Sequence, residues 1–196
     1  NERMEKLDIV FASRYLDAYF AWHKKESVTS SWKIAFEYST HYWPIVLEHL
    51  LLGMNAHISL DLGIAAAQIS TGENIDDLQN DFNKINEILS SLVNEVENEL
   101  AAIWPTFKLI LKWTKMVDNY LVDFSMKLAR DGAWNFAKKI AGHSESELDN
   151  LIKERDQKVS KKSKIITNPG FIVTFILGII RIGERGTVAE KIEKMK

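Results

Sequence analysis

Apolar residues recur at helical spacing along most of the chain. The first predicted helix runs from about Glu2 to Trp22, and its inner face carries apolar side chains three and four positions apart: Leu7, Phe11, Tyr15, Ala18 and Trp22. Ser27 to Ser31 interrupts this pattern and supplies an N-cap for a second helix, about Trp32 to Tyr42. The beginning of the chain is therefore predicted to be two helices joined by a short polar loop.

Two prolines fit the starts of further helices. Pro44 is predicted to begin a third helix that reaches about Ile69, and Pro105 a later one. Between them, 71–74 form a predicted turn and 75–104 keep helical spacing, which makes this segment the fourth helix. The helix after Pro105 is expected to bend near Gly132 and to end at Gly142.

The last quarter of the chain has two starts with capping-box spacing: Ser144 with Glu147, and Thr187 with Glu190. A sharp turn is predicted at 168–170. The apolar segment Phe171 to Ile180 is about half of the ~20 residues that a membrane span needs, so we expect a buried core helix and no membrane span.

Composition supports an all-α protein. The 196 residues include 3 Pro and 9 Gly, and 46% are hydrophobic, which favours long helices over many short strands. A chain of this length can bury a core without disulfides or metal. We predict a single all-helical domain over 1–196, a compact bundle of about six to eight helices.

Charge and cysteine content exclude several kinds of partner and site. Lys plus Arg (25) nearly balance Asp plus Glu (27), so we expect neither nucleic acid nor an anionic membrane as a partner. Cysteine is absent, which excludes thiolate nucleophiles and cysteine zinc sites and fits a cytoplasmic location. The first residue, Asn1, leaves a removed leader open. Nothing in the sequence predicts the oligomeric state.

The third helix combines a strongly apolar segment with polar residues that need partners. His57 and Asp61 are four residues apart, so they share a face and can hydrogen-bond or ligate one metal ion. His49 is about 12 Å from His57 along an ideal helix, so either the helix is distorted near Gly53 or His49 has another role. Asn55 points away from His57 in a regular helix, which indicates distortion or a bond to a neighbouring helix.

Two further polar residues fall on the inner stripe of the fourth helix. Asp81 lies between Leu78 and Ile85, and Asn86 between Phe82 and Leu89. Antiparallel pairing with the third helix would bring Asp81 close to the level of His57 and Asp61. The predicted pocket therefore consists of six residues: His49, Asn55, His57, Asp61, Asp81 and Asn86.

Three interpretations of this pocket remain open. It can be a buried hydrogen-bond network that specifies helix pairing. It can hold a divalent transition metal, Zn, Mn or Fe, through His57, Asp61 and Asp81, with His49 as a weaker candidate, and so activate water. It can also bind a small molecule without catalysis, for instance haem, beside Tyr42 and Trp43, although one His is a weak haem signal.

Two stretches carry a resemblance to a known family. Leu-Leu-Leu-Gly-Met-Asn-Ala-His-Ile-Ser-Leu-Asp-Leu, 50–62, and Asp-Phe-Asn-Lys-Ile-Asn, 81–86, resemble DUF5995, a family of unknown function. The resemblance implies a bacterial helical domain whose signature residues map onto the six pocket residues, and it implies no known reaction. The resemblance therefore favours a functional pocket over a hydrogen-bond network that only specifies helix pairing.

The sequence thus leads to two hypotheses, and it leaves open whether the protein is an enzyme. In the first, the pocket between the third and fourth helices binds a small-molecule ligand and hydrolyses a small ester or phosphoester with the help of a metal ion. In the alternative, the protein is a non-catalytic binding or structural module whose buried polar network fixes helix packing.

Overall fold

The computed structural model describes residues 2–71, 74–85, 87–88 and 126–183. Within these ranges the chain forms seven α-helices and no strand, which confirms the all-α multi-helix bundle. The helices are α1 Glu2–His23, α2 Ser30–Tyr38, α3 Val46–Ala56, α4 Leu62–Ile69, α5 Met126–Ile140, α6 Glu145–Thr167 and α7 Phe171–Gly183. The predicted helix start at Pro105 and the capping box at Thr187 and Glu190 lie outside the described residues.

The third predicted helix contains a π-helical turn. α3 and α4 are joined without a break by His57–Asp61, in which the backbone bonds span five residues. The predicted distortion therefore exists, but it lies at His57–Asp61 and not at Gly53. The helix begins at Val46, two residues after Pro44, because the N-cap residue Ile45 has extended backbone angles, φ −79° and ψ 160°.

Several other helix ends agree with the predictions, and the start of the fourth predicted helix differs. Gly142 has φ +79°, the left-handed conformation expected after a helix end, and Glu147 accepts a hydrogen bond from the backbone N–H of Ser144 at 3.2 Å. The segment Ile75–Leu78 is a 3₁₀ turn that leads into helical residues 79–85. α5 runs through Gly132 as one continuous helix.

The bundle places the π turn at its centre. α4 packs along α5, α3 packs on α2 and α6, and α1 crosses α4 and the π turn. α4 and α5 approach most closely at Gly63, where an added Cβ would lie 2.7 Å from the carbonyl oxygen of Ala133. Ile58 and Leu60 of the π turn belong to hydrophobic clusters, and Ser59 and Asp61 are buried beside them, so these two polar residues depend on partners within the protein.

α7 is not the buried core helix that the sequence predicted. Val173, Leu177 and Ile180 are buried on one side, whereas Phe171 is 87% exposed and Ile182 is 79% exposed. One helix among the described residues, Val46–Ile69, is long and apolar enough to cross a membrane, but 78% of the relevant window is buried in the protein. A core helix of a soluble protein passes the same test, so this is weak support for a span.

Candidate functional site

Three helical segments converge on the carboxylate of Asp61. Arg14 of α1 donates from Nε to Oδ1 at 2.8 Å, and Trp32 of α2 donates from Nε1 to Oδ2 at 2.8 Å. His57, at the start of the π turn, places Nδ1 3.3 Å from the same Oδ2. These four residues, Arg14, Trp32, His57 and Asp61, are called the Asp61 cluster below.

Burial makes the partners of Asp61 necessary. Its side chain is 1% exposed, and a buried carboxylate without partners carries a large desolvation cost. Arg14 supplies a positive charge and Trp32 an N–H, so the ionised carboxylate is both neutralised and hydrogen-bonded. The cluster consequently joins α1, α2 and the π turn through one side chain.

The imidazole of His57 is held on its faces and at one edge. Its ring stacks on Phe11 with centroids 3.7 Å apart and an interplanar angle of 7°. Tyr15 and Trp32 lie at centroid distances of 6.1 and 5.9 Å. The His57 side chain is nevertheless 24% exposed, which combines a fixed orientation with access to solvent.

A cleft of about 230 Å³ borders the cluster. Asp61, Trp32 and the 25%-exposed Arg14 side chain line it, whereas His57 is not among its lining residues. The acidic Asp17 and the hydroxyl groups of Ser27 and Thr29 also line it. The cleft is large enough for a small polar molecule but not for a haem group.

Asn55 has a different set of contacts. Its Nδ2 donates to the Val159 carbonyl at 2.9 Å and lies 3.0 Å from Ser163 Oγ, both on α6. Its Oδ1 accepts from Ser59 Oγ at 3.2 Å. Of the two explanations offered for Asn55, the bond to a neighbouring helix is therefore present.

α6 also contacts the backbone of the π turn. Arg155 donates from Nε to the Ser59 carbonyl at 2.9 Å, and burial lowers the pKa of this guanidinium. Because a π turn shifts the helical bonding pattern, its carbonyl groups benefit from side-chain donors. Arg155 thus stabilises the turn that holds His57 and Asp61.

Of the remaining predicted pocket residues, those that the structure describes are not part of the Asp61 cluster. His49 is partly buried against Tyr38, with ring centroids 5.9 Å apart. Asp81 forms an ion pair with Arg3 of α1, Oδ2 to Nε at 2.9 Å. Asn86 lies outside the described residues. The structure therefore brings together His57 and Asp61, and it gives Asn55, His49 and Asp81 partners of their own.

Comparison with known proteins adds one finding. The model of the family of unknown function DUF5995 matches residues 1–169. The chain belongs to this family. The DUF5995 match covers α1 to α6 and the whole Asp61 cluster, and it ends before α7. No curated protein and no solved structure matches the chain.

A metal site in this DUF5995 protein gains no support from the described residues. In those parts of the chain, no group of three or more His, Cys, Asp or Glu side chains could hold an ion. Both oxygens of Asp61 already accept from N–H groups, one of them on a cationic guanidinium. A cation bound to Asp61 would also lie close to the positive guanidinium of Arg14, which repels it.

Sequence reasoning missed two members of the Asp61 cluster. Arg14 lies three residues after Phe11 and four before Ala18, so its position borders the inner stripe of α1. A basic residue at such a position is the counterpart that an inward Asp needs. Trp32 gave no comparable signal, because a Trp at the start of a helix is equally well explained by apolar packing.

Proposed function

We propose that this protein hydrolyses a small ester or phosphoester, with His57 as general base and Asp61 as the group that orients it. The observation that carries this proposal is the contact between Nδ1 of the part-exposed His57 and Oδ2 of the buried Asp61, at 3.3 Å. The distance is long for an N–H···O bond, and such bonds in catalytic pairs shorten when substrate binds.

The contact fixes which nitrogen of His57 takes up a proton. With Nδ1–H directed at Asp61, Nε2 is the ring nitrogen that carries the lone pair and can accept a proton. Water would lose a proton to Nε2 while its oxygen attacks the ester carbonyl or phosphorus, and the proton would then pass to the departing alcohol oxygen. The carboxylate of Asp61 stabilises the imidazolium that forms between these steps.

The other cluster members act through Asp61. Arg14 and Trp32 hold its carboxylate in one orientation, so they are positioning residues in this scheme. The stack on Phe11 limits rotation of the imidazole. This scheme needs no metal ion, and it therefore replaces the metal-dependent form of the hypothesis.

The second candidate is a non-catalytic module whose polar network fixes helix packing. Asp156 favours it, because this buried carboxylate of α6 accepts from Ser30 N at 2.6 Å, Ser31 N at 2.9 Å and Ser31 Oγ at 2.7 Å. It thereby ties α6 to the beginning of α2. Asn55 joins α3 to α6 in the same way.

Hydrolysis of chromogenic esters and phosphoesters separates the two candidates. We expect His57→Leu to lower the rate by about a hundredfold or more, the range for loss of a general base, and His23→Leu to leave it unchanged. His23 is an exposed histidine at the end of α1 and serves as the matched control.

Two results would decide against general-base hydrolysis. A His57→Leu protein that keeps the wild-type rate removes His57 from the reaction. Wild-type protein that hydrolyses no substrate faster than buffer favours the structural module. Loss of hydrolysis on treatment with a chelator, restored by Zn, Mn or Fe, would instead support the metal-dependent form.

A further inference from the structure

A second cleft, which shares no lining residue with the Asp61 cluster, lies between the α2–α3 loop and the α6–α7 turn. Its volume is about 480 Å³, within the range of small-molecule sites. Aromatic rings of Tyr38, Tyr42 and Trp43 form one wall, and Leu177 and Thr174 of α7 form part of the other. We call it the Glu48 cleft after the acidic residue that lines it.

The aromatic wall presents ring faces at two orientations. Tyr42 and Trp43 meet edge to face, with centroids 5.7 Å apart and an interplanar angle of 81°. Their side chains are 74% and 66% exposed, although large aromatic residues normally avoid water. Two perpendicular rings form a corner in which a rounded cationic group can lie against a negative π face.

Glu48 supplies the charge of this cleft. It is 4% exposed, and its carboxylate accepts from Ile45 N at 2.9 Å and from the Tyr38 hydroxyl at 3.1 Å. Among the described residues that line the cleft, Glu48 is the one acidic residue, and none is Lys or Arg.

A cation already occupies one aromatic face at the edge of this region. The guanidinium carbon of Arg181 lies 4.7 Å from the centroid of the Tyr42 ring, and its Nε donates to the Tyr42 carbonyl at 2.7 Å. Arg181 is not one of the residues that line the cleft. The contact shows that the Tyr42 ring in this orientation accepts a positive group.

We propose that the Glu48 cleft binds a small organic cation of the alkylammonium class. The ammonium group would lie against the rings of Tyr42 and Trp43, close enough to Glu48 for charge attraction, while its alkyl part contacts Leu177. This proposal is independent of hydrolysis at His57, because it shares no residue with the Asp61 cluster.

Calorimetric titration with choline and benzyltrimethylammonium tests the proposal. The uncharged analogue of choline, 3,3-dimethylbutan-1-ol, has nearly the same shape and measures the effect of the charge alone. We expect at least one of the two cations to bind at millimolar concentration or below. We expect choline to bind about tenfold or more tightly than the alcohol, since the aromatic faces and Glu48 attract only the charged form.

Two variants locate the binding site, and a third serves as control. Trp43→Ala should weaken cation binding by about threefold to thirtyfold, and Glu48→Gln should weaken it by a similar factor. Trp43 is 66% exposed, so its replacement tests binding even if Glu48→Gln impairs folding of α3. Phe20→Ala removes an exposed aromatic ring of α1, 55% exposed, that lies outside the cleft, and it should not change the affinity.

Four results would overturn the proposal. Neither cation binds at millimolar concentration, or the neutral alcohol binds as tightly as choline, or Trp43→Ala keeps the wild-type affinity. If binding weakens equally in Trp43→Ala and Phe20→Ala, the cations are attracted to exposed aromatic rings in general and the cleft is not a site.

Discussion

Arg14 donates a hydrogen bond to Asp61 at 2.8 Å across 47 positions of the sequence, and the carboxylate that it neutralises is 1% exposed. This pair fixes the distance between α1 and the π turn. It also determines where His57 lies, because His57 contacts the same carboxylate. Stability and the proposed chemistry consequently depend on one buried charge.

Removing Arg14 should therefore destabilise the protein strongly. Arg14→Met leaves the buried Asp61 without its positive partner, and we expect a loss of about 3 to 5 kcal/mol in the free energy of unfolding. Urea unfolding followed by circular dichroism measures it. The double variant Arg14→Met/Asp61→Leu should recover much of this loss, because no unpaired charge remains.

An exposed ion pair supplies the control for that measurement. Lys6 and Glu2 lie on the surface of α1, with Nζ and Oε1 2.9 Å apart, and Lys6→Met should change the free energy of unfolding far less than Arg14→Met, because water screens an exposed pair. If Arg14→Met costs no more than Lys6→Met, Asp61 is not held as a buried charge.

His57 and Asp61 should respond differently to substitution. His57→Leu replaces a part-exposed ring among apolar neighbours, and we expect a change within about 1 kcal/mol. Asp61→Asn weakens the pairing with Arg14 and should lower stability by about 1 to 3 kcal/mol. Thermal unfolding of the two metal-free variants gives the comparison. A large loss in His57→Leu would indicate that His57 serves mainly to hold the bundle together.

Replacing two glycines of one long helix by alanine should change the stability of the protein in opposite directions. An added Cβ at Gly63 would lie 2.7 Å from the Ala133 carbonyl oxygen, so Gly63→Ala forces α4 away from α5 and should cost about 1 to 3 kcal/mol. Gly53→Ala meets no atom within 4 Å and should stabilise the helix by about 0.5 to 1 kcal/mol. Chemical unfolding checks both. A loss of stability in Gly53→Ala would contradict the helical geometry at that position.

Tyr38 should make stability sensitive to alkaline pH. Burial, and then the charge and hydrogen bond of Glu48, raise the pKa of Tyr38 well above its ordinary value of 10.0. The unfolded chain releases this proton at a lower pH than the folded protein does. The stabilisation that Tyr38 contributes is therefore fully present below about pH 10 and declines as the pH rises towards the folded-state pKa. The free energy of unfolding, measured from about pH 8 to about pH 11, should therefore fall more steeply in wild-type protein than in Tyr38→Phe.

The free energy of unfolding near pH 7 provides a second check on Tyr38→Phe. Tyr38→Phe removes one hydrogen bond to Glu48 and should cost about 1 kcal/mol near pH 7. The difference in the free energy of unfolding between wild type and Tyr38→Phe should then become smaller at alkaline pH. Parallel curves for the two proteins would mean that Tyr38 does not titrate differently in the folded and unfolded states.

Local patterns in the sequence determined the helices and the contact between two pocket residues. The stripe of apolar residues in α1, the left-handed glycine at 142 and the Ser144–Glu147 cap act within a few positions, so they could be read without a structure. The same holds for His57 and Asp61, because a separation of four residues places them together on any helix.

The partners of the inward polar residues were decided by the tertiary structure. Asp61 takes Arg14 and Trp32 from two other helices, and Asp81 takes Arg3, 78 positions away. The sequence predicted that these carboxylates needed partners, since burying a lone charge is costly, but many residues could have satisfied them. The packing of the helices decides which of these residues become the partners. This packing depends on how whole helices cross, and no local sequence pattern specifies that.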